Sequence, residues 1–195
     1  MIEQTLFNAG IVNIAGVDEA GRGPCAGPLV VAAVILKDPF SNELSQVKDS
    51  KELTEAKREQ LFEIIIENCI DYNIVEITPD EIDQLGLHKC NIEGMRRAVM
   101  GLKTSAEYVL TDGYPIPGLT IPNLSVWKGD KVAISISAAS ILAKVHRDRM
   151  CEEMHRQYPD YGFDSHKGYG TAVHLKALQS LGPTPLHRKT FAPVT

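Results

Sequence analysis

The amino-acid sequence predicts an α/β fold in which helices flank a mixed central β-sheet. A continuous apolar, β-branched run at residues 29–36 is typical of a buried strand, and residues 72–77 alternate as a strand does. A tight loop rich in glycine and proline separates the run at 29–36 from a strand predicted at 11–18, which favours antiparallel pairing. Because the later strands alternate with helical segments, the class is α/β with a mixed sheet.

Each helix is predicted from a local pattern. Residues 54–69 carry apolar side chains at helical spacing behind a polar first turn. The sequence TPDE at residues 78–81 combines an N-cap hydroxyl, a first-turn proline and a glutamate three residues after the cap, a capping box that opens another helix. The remaining predictions are helices at 88–102, 133–157 and 171–181 and a short strand at 107–112.

Length and composition limit the class of protein. The 195 residues predict a single domain, 1–195, with a short C-terminal segment at about 183–195. With 44% hydrophobic and 23% charged residues the chain is ordinary for a globular protein, and no apolar stretch approaches the roughly 18 residues that span a bilayer. The four cysteines form no Cys-x-x-Cys pair, so neither a zinc site nor a disulfide framework is expected, and a cytoplasmic location is predicted.

The charge distribution is uneven. A net charge of −5 by itself speaks against a nucleic-acid partner. Residues 1–127 carry 10 basic against 19 acidic side chains, whereas residues 128–195 carry 10 against 6 and include five of the six histidines. A basic C-terminal third is typical of a phosphate-binding surface, although solvated helix faces produce the same bias.

Four acidic residues stand near predicted strand ends or a helix start. Asp18 and Glu19 end the first strand, Asp112 ends a later one, and Asp130 precedes the long helix. Catalytic residues of α/β sheets collect at such edges, and oxygen ligands without His or Cys favour Mg²⁺ or Mn²⁺ over zinc. The structural alternatives are a helix cap for Asp130, a turn for Asp112 and a solvated strand end for the adjacent pair. Asp18 and Glu19 face opposite sides of a strand, so they can share an ion only if the chain bends there or the Glu19 side chain reaches around.

The loop Gly21-Arg22-Gly23 matches neither nucleotide-binding fingerprint. Its glycines lead into a strand rather than a helix, and no Gly-Lys-[Ser/Thr] sequence is present. Its backbone groups could approach a ligand closely, with Arg22 supplying a cation. The alternative is a tight turn that needs glycine conformations.

Ordered motifs run through almost the whole chain. They are GVDEAGRGP at 16–24, DSK at 49–51, LTDG at 110–113, KGD at 128–130, AASILAKV at 138–145 with RDR at 147–149, HKGYGT at 166–171 and HRKTFAPV at 187–194. Taken together and in this order, they resemble the motifs of the ribonuclease HII family. The resemblance implies a ribonuclease H-like fold and hydrolysis of the RNA strand of RNA–DNA hybrids. It also implies incision 5′ of single ribonucleotides in duplex DNA, leaving 3′-hydroxyl and 5′-phosphate ends.

The resemblance also implies roles for individual residues. Asp18, Glu19, Asp112 and Asp130 match the family's catalytic carboxylates, and the first three are the expected metal ligands. Two divalent ions, Mn²⁺ or Mg²⁺, about 3.5–4 Å apart would activate a water and stabilise the leaving 3′-oxygen. The matches to the elements that recognise the 2′-hydroxyl at an RNA–DNA junction are Gly21, Arg22, Gly23 and Tyr169.

Several side chains keep two interpretations. Tyr169 is expected to stack on the deoxyribose beside the ribonucleotide, or else to be a half-buried aromatic with a bonded hydroxyl. The candidates for neutralising phosphates are Lys51, Lys144, Arg147, Lys167 and Arg188, each of which could be an ordinary solvated charge. His166 is expected as a surface imidazole, with protonation of a leaving group or phosphate binding as the alternative. Asp148 is expected as an ion-pair partner, with a helix site near the metals as the alternative.

Two other functions compete with the nuclease. A nucleotide-hydrolysing enzyme would need a phosphate loop that this sequence lacks. A catalytically silent hybrid-binding module is disfavoured because all four carboxylates are present. The expected partners are an RNA–DNA hybrid and ribonucleotide-containing duplex DNA, with no membrane and no obligate protein partner, and the chain is expected to be a monomer.

Overall fold

A computed structural model describes residues 2–194 and places a five-stranded mixed sheet at their centre. The strands are β1 Ile14–Ala20, β2 Leu29–Leu36, β3 Cys69–Ile77, β4 Tyr108–Asp112 and β5 Asn123–Val126. Their order is β3-β2-β1-β4-β5. Strand β2 pairs antiparallel with β1 and β3, whereas β4 pairs parallel with β1 and β5. The predicted α/β class, its mixed sheet and the antiparallel first pair are confirmed.

Helices cover both faces of the sheet. They are α1 Ile2–Asn8, α2 Glu55–Glu67, α3 Pro79–Leu85, α4 Leu87–Met100, α5 Ile134–Gln157, α6 Phe163–His166 and α7 Ala172–Leu181. The capping box at Thr78 is formed, because its hydroxyl accepts the Glu81 N–H and the Glu81 carboxylate accepts the Thr78 N–H. Within residues 2–194, no helix combines the length and apolar character needed to cross a membrane.

The first strand differs from its prediction in a way that matters for the site. It was expected at 11–18, but it begins at Ile14 and continues to Ala20. The ladder with β2 continues through Asp18 and Glu19, which lie opposite Ala32 and Val31. Both acidic residues are therefore inside the strand, not at its end, and their side chains face opposite layers.

Strand β2 separates two apolar layers. All eight of its residues are buried, and alternate side chains enter different clusters. Val30 packs in the layer with α2 and α5, whereas Val31 packs in the layer with α4. Helix α5 approaches β1 so closely that a Cβ added at Gly16 would lie 2.0 Å from the Ser135 carbonyl carbon. This contact fixes the start of α5 beside the strand that carries Asp18.

Candidate active site

Three carboxylates from separate elements meet at one edge of the sheet. They belong to Asp18 on β1, Asp112 at the end of β4, and Asp130 in the short 3₁₀ turn Gly129–Lys131. One oxygen from each lies within 4.8 Å of the others. Asp18 and Asp130 are buried, and Asp112 is partly buried. We call Asp18, Asp112 and Asp130 the carboxylate cluster.

The chain brings these residues together through backbone pairing. Strands β1 and β4 are parallel, with Val17 opposite Thr111, so the residues that follow, Asp18 and Asp112, lie side by side. The Gly129 N–H donates to Asp112 Oδ1 over 2.7 Å, and this bond draws in the neighbouring Asp130. The cluster is thus fixed by one strand register and one hydrogen bond between residues distant in sequence.

The structure contains neither the helix cap that was the alternative for Asp130 nor the turn that was the alternative for Asp112. The N-cap of α5 is Ala133, which makes no side-chain capping bond, so Asp130 does not cap that helix. The Asp112 carboxylate accepts from Gly129, 17 residues away, instead of closing its own turn. Both side chains face a cavity of about 300 Å³, which we call the carboxylate cavity.

Glu19 lies apart from the cluster but lines the same cavity. Its side chain emerges on the opposite face of β1, where Arg22 Nη1 lies 3.5 Å from Glu19 Oε1. Its second oxygen, Oε2, is buried without a hydrogen-bond partner among the described residues. The ligand set expected from the resemblance contains Glu19, whereas the close group contains Asp130 in its place.

Burial, together with nearby negative charge, raises the pKa of three carboxyl groups at the site, those of Asp18, Glu19 and Asp130. Burial raises the pKa of Asp18 well above its usual value, and the charges of Glu19 and Asp112 raise it further. Burial also raises the pKa of Glu19, against a lowering effect of Arg22. For Asp130, burial raises the pKa first, and the nearby Asp49 and Asp112 add to it.

This donor set fits a hard divalent cation. All the converging donors are carboxylate oxygens, which Mg²⁺ and Mn²⁺ accept. A bound cation would favour the ionised forms of these carboxyl groups, which burial and mutual repulsion disfavour. The unpartnered Oε2 of Glu19 could also coordinate it. Asp18, Asp112 and Asp130, with Glu19 across the cavity, are the residues that could hold it.

A buried arginine holds the loop Gly21-Arg22-Gly23, which we call the glycine loop. Arg188 Nη2 donates to the Gly21 carbonyl over 2.6 Å, and its Nη1 donates to the Arg22 carbonyl over 3.2 Å. Its Nε donates to the Gly27 carbonyl over 3.0 Å. Gly21 has φ +100, and a Cβ there would lie 2.1 Å from Arg147 Nε, so only glycine fits.

Arg147 and Arg188 are buried and therefore do not form part of a phosphate-binding surface. Both were candidates for neutralising phosphates, but they are 1% and 0% exposed. Arg147 donates to the carbonyls of Pro28, Ala26 and Lys167, so its guanidinium is as fully engaged as that of Arg188. Burial and then the nearby Arg147 charge lower the pKa of Arg188 to about 10, which leaves it cationic at neutral pH.

The three lysine candidates differ in side-chain exposure and in their ion-pair partners. Lys144 pairs with Asp148, which also receives Arg58 at 3.5 Å, so the ion-pair prediction for Asp148 is confirmed. The Lys167 side chain is only 15% exposed and pairs with Glu55. The Lys51 side chain is 78% exposed and lies 3.8 Å from Asp130 Oδ2. Lys51 is therefore the candidate best placed to meet a phosphate near the carboxylate cluster.

Replacing Lys51 by alanine is expected to lower the salt dependence of nucleic-acid binding by about one unit of slope, since one phosphate contact releases about one counterion. Binding measured by fluorescence anisotropy over a series of salt concentrations gives this slope. Lys103→Ala is the matched control, because Lys103 is exposed and precedes β4, away from the carboxylate end of that strand. Equal slopes for wild type and Lys51→Ala would remove Lys51 from the phosphate-binding surface.

Tyr169 lies beside the glycine loop with its side chain 49% exposed. A Cβ added at Gly23 would lie 3.3 Å from Tyr169 Cε1, so the absence of a side chain at Gly23 keeps this space open. Tyr169 and the glycine loop line a second cavity of about 270 Å³, which we call the tyrosine cavity. It shares Glu19, Arg22 and Lys51 with the carboxylate cavity, so the two adjoin.

A chain of hydrogen bonds through two buried histidines, His187 and His174, fixes the backbone of Tyr169. The Thr184 N–H donates to His187 Nδ1 over 2.9 Å, which places the His187 proton on Nε2. That Nε2–H then donates to His174 Nε2 over 3.0 Å, and His174 Nδ1–H donates to the Tyr169 carbonyl over 2.9 Å. Burial lowers the pKa of both imidazoles, that of His187 to about 4, which agrees with this neutral arrangement.

His166 belongs to the same interior, so the prediction of a surface imidazole is wrong. It is buried and stacked on His174, with ring centroids 4.4 Å apart. Its Nδ1 accepts the Gly168 N–H and its Nε2 donates to the Tyr161 carbonyl. Sequence reasoning missed this cluster because its members have no regular spacing; the concentration of histidines after residue 128 was the only signal.

The mixed sheet and the carboxylate cluster at its parallel edge define a metal-dependent nuclease with the ribonuclease H fold. The family model for ribonuclease HII matches residues 15–194. The ribonuclease HII of Mycobacteroides abscessus is 52% identical over 193 residues, which cover 99% of this chain and 82% of that protein. The chain belongs to the ribonuclease HII family. It is a metal-dependent endonuclease that hydrolyses the RNA strand of RNA–DNA hybrids.

Solved structures agree on the fold. The crystal structure of ribonuclease H2 from Pyrococcus horikoshii OT3 has a TM-score of 0.81 at 29% identity, covering 93% of this chain and 95% of that one. The crystal structure of a ribonuclease HIII, Bst-RNase HIII, in complex with Mn²⁺ has a TM-score of 0.74 at 18% identity, covering 94% and 68%. The second likeness supports the fold alone.

Proposed function

We propose that this enzyme also incises duplex DNA on the 5′ side of a single embedded ribonucleotide, leaving 3′-hydroxyl and 5′-phosphate ends. One observation carries the proposal: the glycine loop and Tyr169 line a cavity that adjoins the carboxylate cavity through Glu19, Arg22 and Lys51. A single strand lying across both cavities can present a 2′-hydroxyl to the loop while its phosphate faces the carboxylates.

The glycine loop supplies the discrimination between RNA and DNA. A protein distinguishes the two through the 2′-hydroxyl, which both donates and accepts hydrogen bonds. The backbone of Gly21 to Gly23 offers such groups without a Cβ to block approach at either glycine. Tyr169, beside Gly23, stacks on the deoxyribose that follows the ribonucleotide, where a second 2′-hydroxyl would crowd the ring.

Asp18, Glu19, Asp112 and Asp130 are the proposed catalytic carboxylates, and they would hold two divalent cations, Mg²⁺ or Mn²⁺. When bound, such ions activate a water and stabilise the leaving 3′-oxygen. The chain's own part is positional: the Gly129 N–H holds the Asp112 carboxylate, and Lys51 lies beside Asp130 facing the phosphate. In the cell this reaction would remove ribonucleotides during replication and repair in the cytoplasm, where the four free cysteines remain reduced.

Replacing Tyr169 by alanine is expected to lower cleavage at a single ribonucleotide by about 10-fold, the effect of losing one aromatic stacking contact. Cleavage of a long hybrid should fall much less, because few of its sugars are deoxyribose on the cut strand. Tyr169→Phe keeps the ring and should retain most activity on both substrates. The test compares kcat/KM of the three proteins on the two substrates, and equal losses on both would refute the junction role of Tyr169.

A further inference from the structure

Trp127 is an exposed aromatic residue at the carboxylate cavity. It is the only tryptophan of the chain, and 81% of its surface is exposed. It directly follows β5 and lines the carboxylate cavity together with Asp112 and Asp130. An indole so exposed leaves a large apolar area in water, an arrangement that is common where tryptophan contacts a ligand.

The backbone on both sides of Trp127 is fixed to the site. Val126 pairs with Asp112 in the sheet, and its carbonyl accepts the Gly113 N–H over 2.9 Å. Two residues after Trp127, the Gly129 N–H donates to the Asp112 carboxylate. Lys128 between them has φ +53, a left-handed conformation that a side chain adopts only at some cost. Backbone hydrogen bonds on both sides of Trp127 therefore fix its position at the carboxylate cavity.

Trp127 and Tyr169 line different parts of the joined cavities, with the shared residues between the two parts. Tyr169 lines only the tyrosine cavity, Trp127 lines only the carboxylate cavity, and Glu19, Arg22 and Lys51 line both. The proposed function assigns the ribonucleotide and its 3′ neighbour to the Tyr169 end. The strand on the other side of the scissile phosphate therefore passes the Trp127 end, where Lys128 adds an exposed cation.

We propose that Trp127 is a substrate-binding residue whose indole packs on the sugar of the nucleotide 5′ to the scissile phosphate. This contact, together with Tyr169 on the 3′ side, holds the cut strand across the carboxylate cluster from both directions. The inference rests on the proposed function, because that function sets which end of the strand meets Trp127.

The single tryptophan allows a direct test by intrinsic fluorescence. The Asp18→Asn protein, which keeps the Asp112–Gly129 bond beside Trp127, is titrated with an unlabelled duplex that contains one ribonucleotide. Binding is measured in parallel by anisotropy of a labelled duplex. Indole emission is expected to change with the same midpoint as the anisotropy, and acrylamide should quench the bound indole less than the free one. Unchanged emission and quenching at saturating duplex would overturn the inference while the proposed function stands.

Substitutions in the active enzyme supply the second measurement. Trp127→Ala is expected to raise KM for the duplex by roughly 10-fold, and Trp127→Phe should restore most of the loss. Tyr72→Ala is the control, because Tyr72 is 41% exposed on β3, at the opposite edge of the sheet. Equal KM values for wild type and Trp127→Ala would refute the contact. Failure of the wild type to cut at the ribonucleotide would instead remove the proposed function, and with it the 5′ assignment of Trp127.

Discussion

Replacing Asp18 by asparagine is expected to abolish cleavage and, at the same time, to stabilise the protein in EDTA. Activity should fall by more than about 10²-fold, since even residues that only support metal ligands are worth 10- to 100-fold. Stability should rise because burial and the charges of Glu19 and Asp112 disfavour the Asp18 carboxylate, and a neutral amide removes that repulsion. The asparagine oxygen can still accept the Glu19 N–H that the carboxylate accepts over 2.7 Å.

The sign of the pH dependence follows from the raised pKa of Asp18. The unfolded carboxyl titrates near 3.8, and the folded one titrates higher. Between those pH values folding takes up a proton, so stability falls as the pH rises through this window, and the penalty is complete above it. In EDTA the wild type should lose more stability than Asp18→Asn between mildly acidic and neutral pH.

Thermal unfolding of both proteins measures these effects. In EDTA at neutral pH, the Tm of Asp18→Asn should exceed that of the wild type by about 2–4 °C for each kcal/mol of repulsion removed. Mg²⁺ or Mn²⁺ should raise the wild-type Tm and affect the variant much less. Asp160→Asn, at an exposed aspartate, is the control and should behave as wild type. A lower Tm in EDTA together with normal turnover would contradict the placement of Asp18 in a metal site.

Replacing Arg188 by methionine is expected to destabilise the protein and to disable cutting at single ribonucleotides. Methionine removes a buried charge, which is favourable in itself, but it leaves the carbonyls of Gly21, Arg22 and Gly27 without their donor. Each orphaned buried group costs about 1–3 kcal/mol, so the loss outweighs the gain. Displacement of the glycine loop by about 1 Å is enough to lower the rate by about 10²-fold.

The neighbouring residue provides a matched control for Arg188. Lys189 is exposed, so Lys189→Met should change stability by no more than about 0.5 kcal/mol. Urea unfolding gives the stability of each variant, and cleavage of both substrates gives its specificity. For Arg188→Met, we expect a greater loss on the single-ribonucleotide duplex than on a long hybrid, at a temperature where the variant is folded. Unchanged stability and unchanged specificity would show that Arg188 does not hold the loop.

The sequence predicted most of the helices and strands because their signals are local, and it singled out the four acidic residues by their places near predicted strand ends and a helix start. Thr78 caps its helix as its spacing predicts, and the β1 ladder brings Asp18 beside the end of β4. Strand β5 was missed because it has only four residues, Asn123–Val126, too few for a periodic pattern. Its parallel pairing with β4 is nevertheless what sets Trp127 beside Asp112.

The environment of the charged side chains could not be predicted from local signals. Arg147 and Arg188 look like phosphate ligands in a basic segment, but carbonyls from distant loops converge on them and keep them inside. His166 is buried because its ring stacks on His174 of α7, while the Tyr161 carbonyl and the Gly168 N–H satisfy its two nitrogens. These contacts depend on tertiary structure. The sequence therefore shows that a residue is charged, but not whether its side chain is exposed.

The most direct test of this account is to map the cut in a labelled DNA duplex that contains one ribonucleotide, with Mg²⁺, with Mn²⁺ and with EDTA. We expect a single cut on the 5′ side of the ribonucleotide with either metal, ends bearing a 3′-hydroxyl and a 5′-phosphate, and no product in EDTA. Hydrolysis of a long hybrid without any cut at the single ribonucleotide would contradict the roles proposed for Gly21, Arg22, Gly23 and Tyr169. A cut at the ribonucleotide that persists in EDTA would contradict the role of the carboxylates as metal ligands.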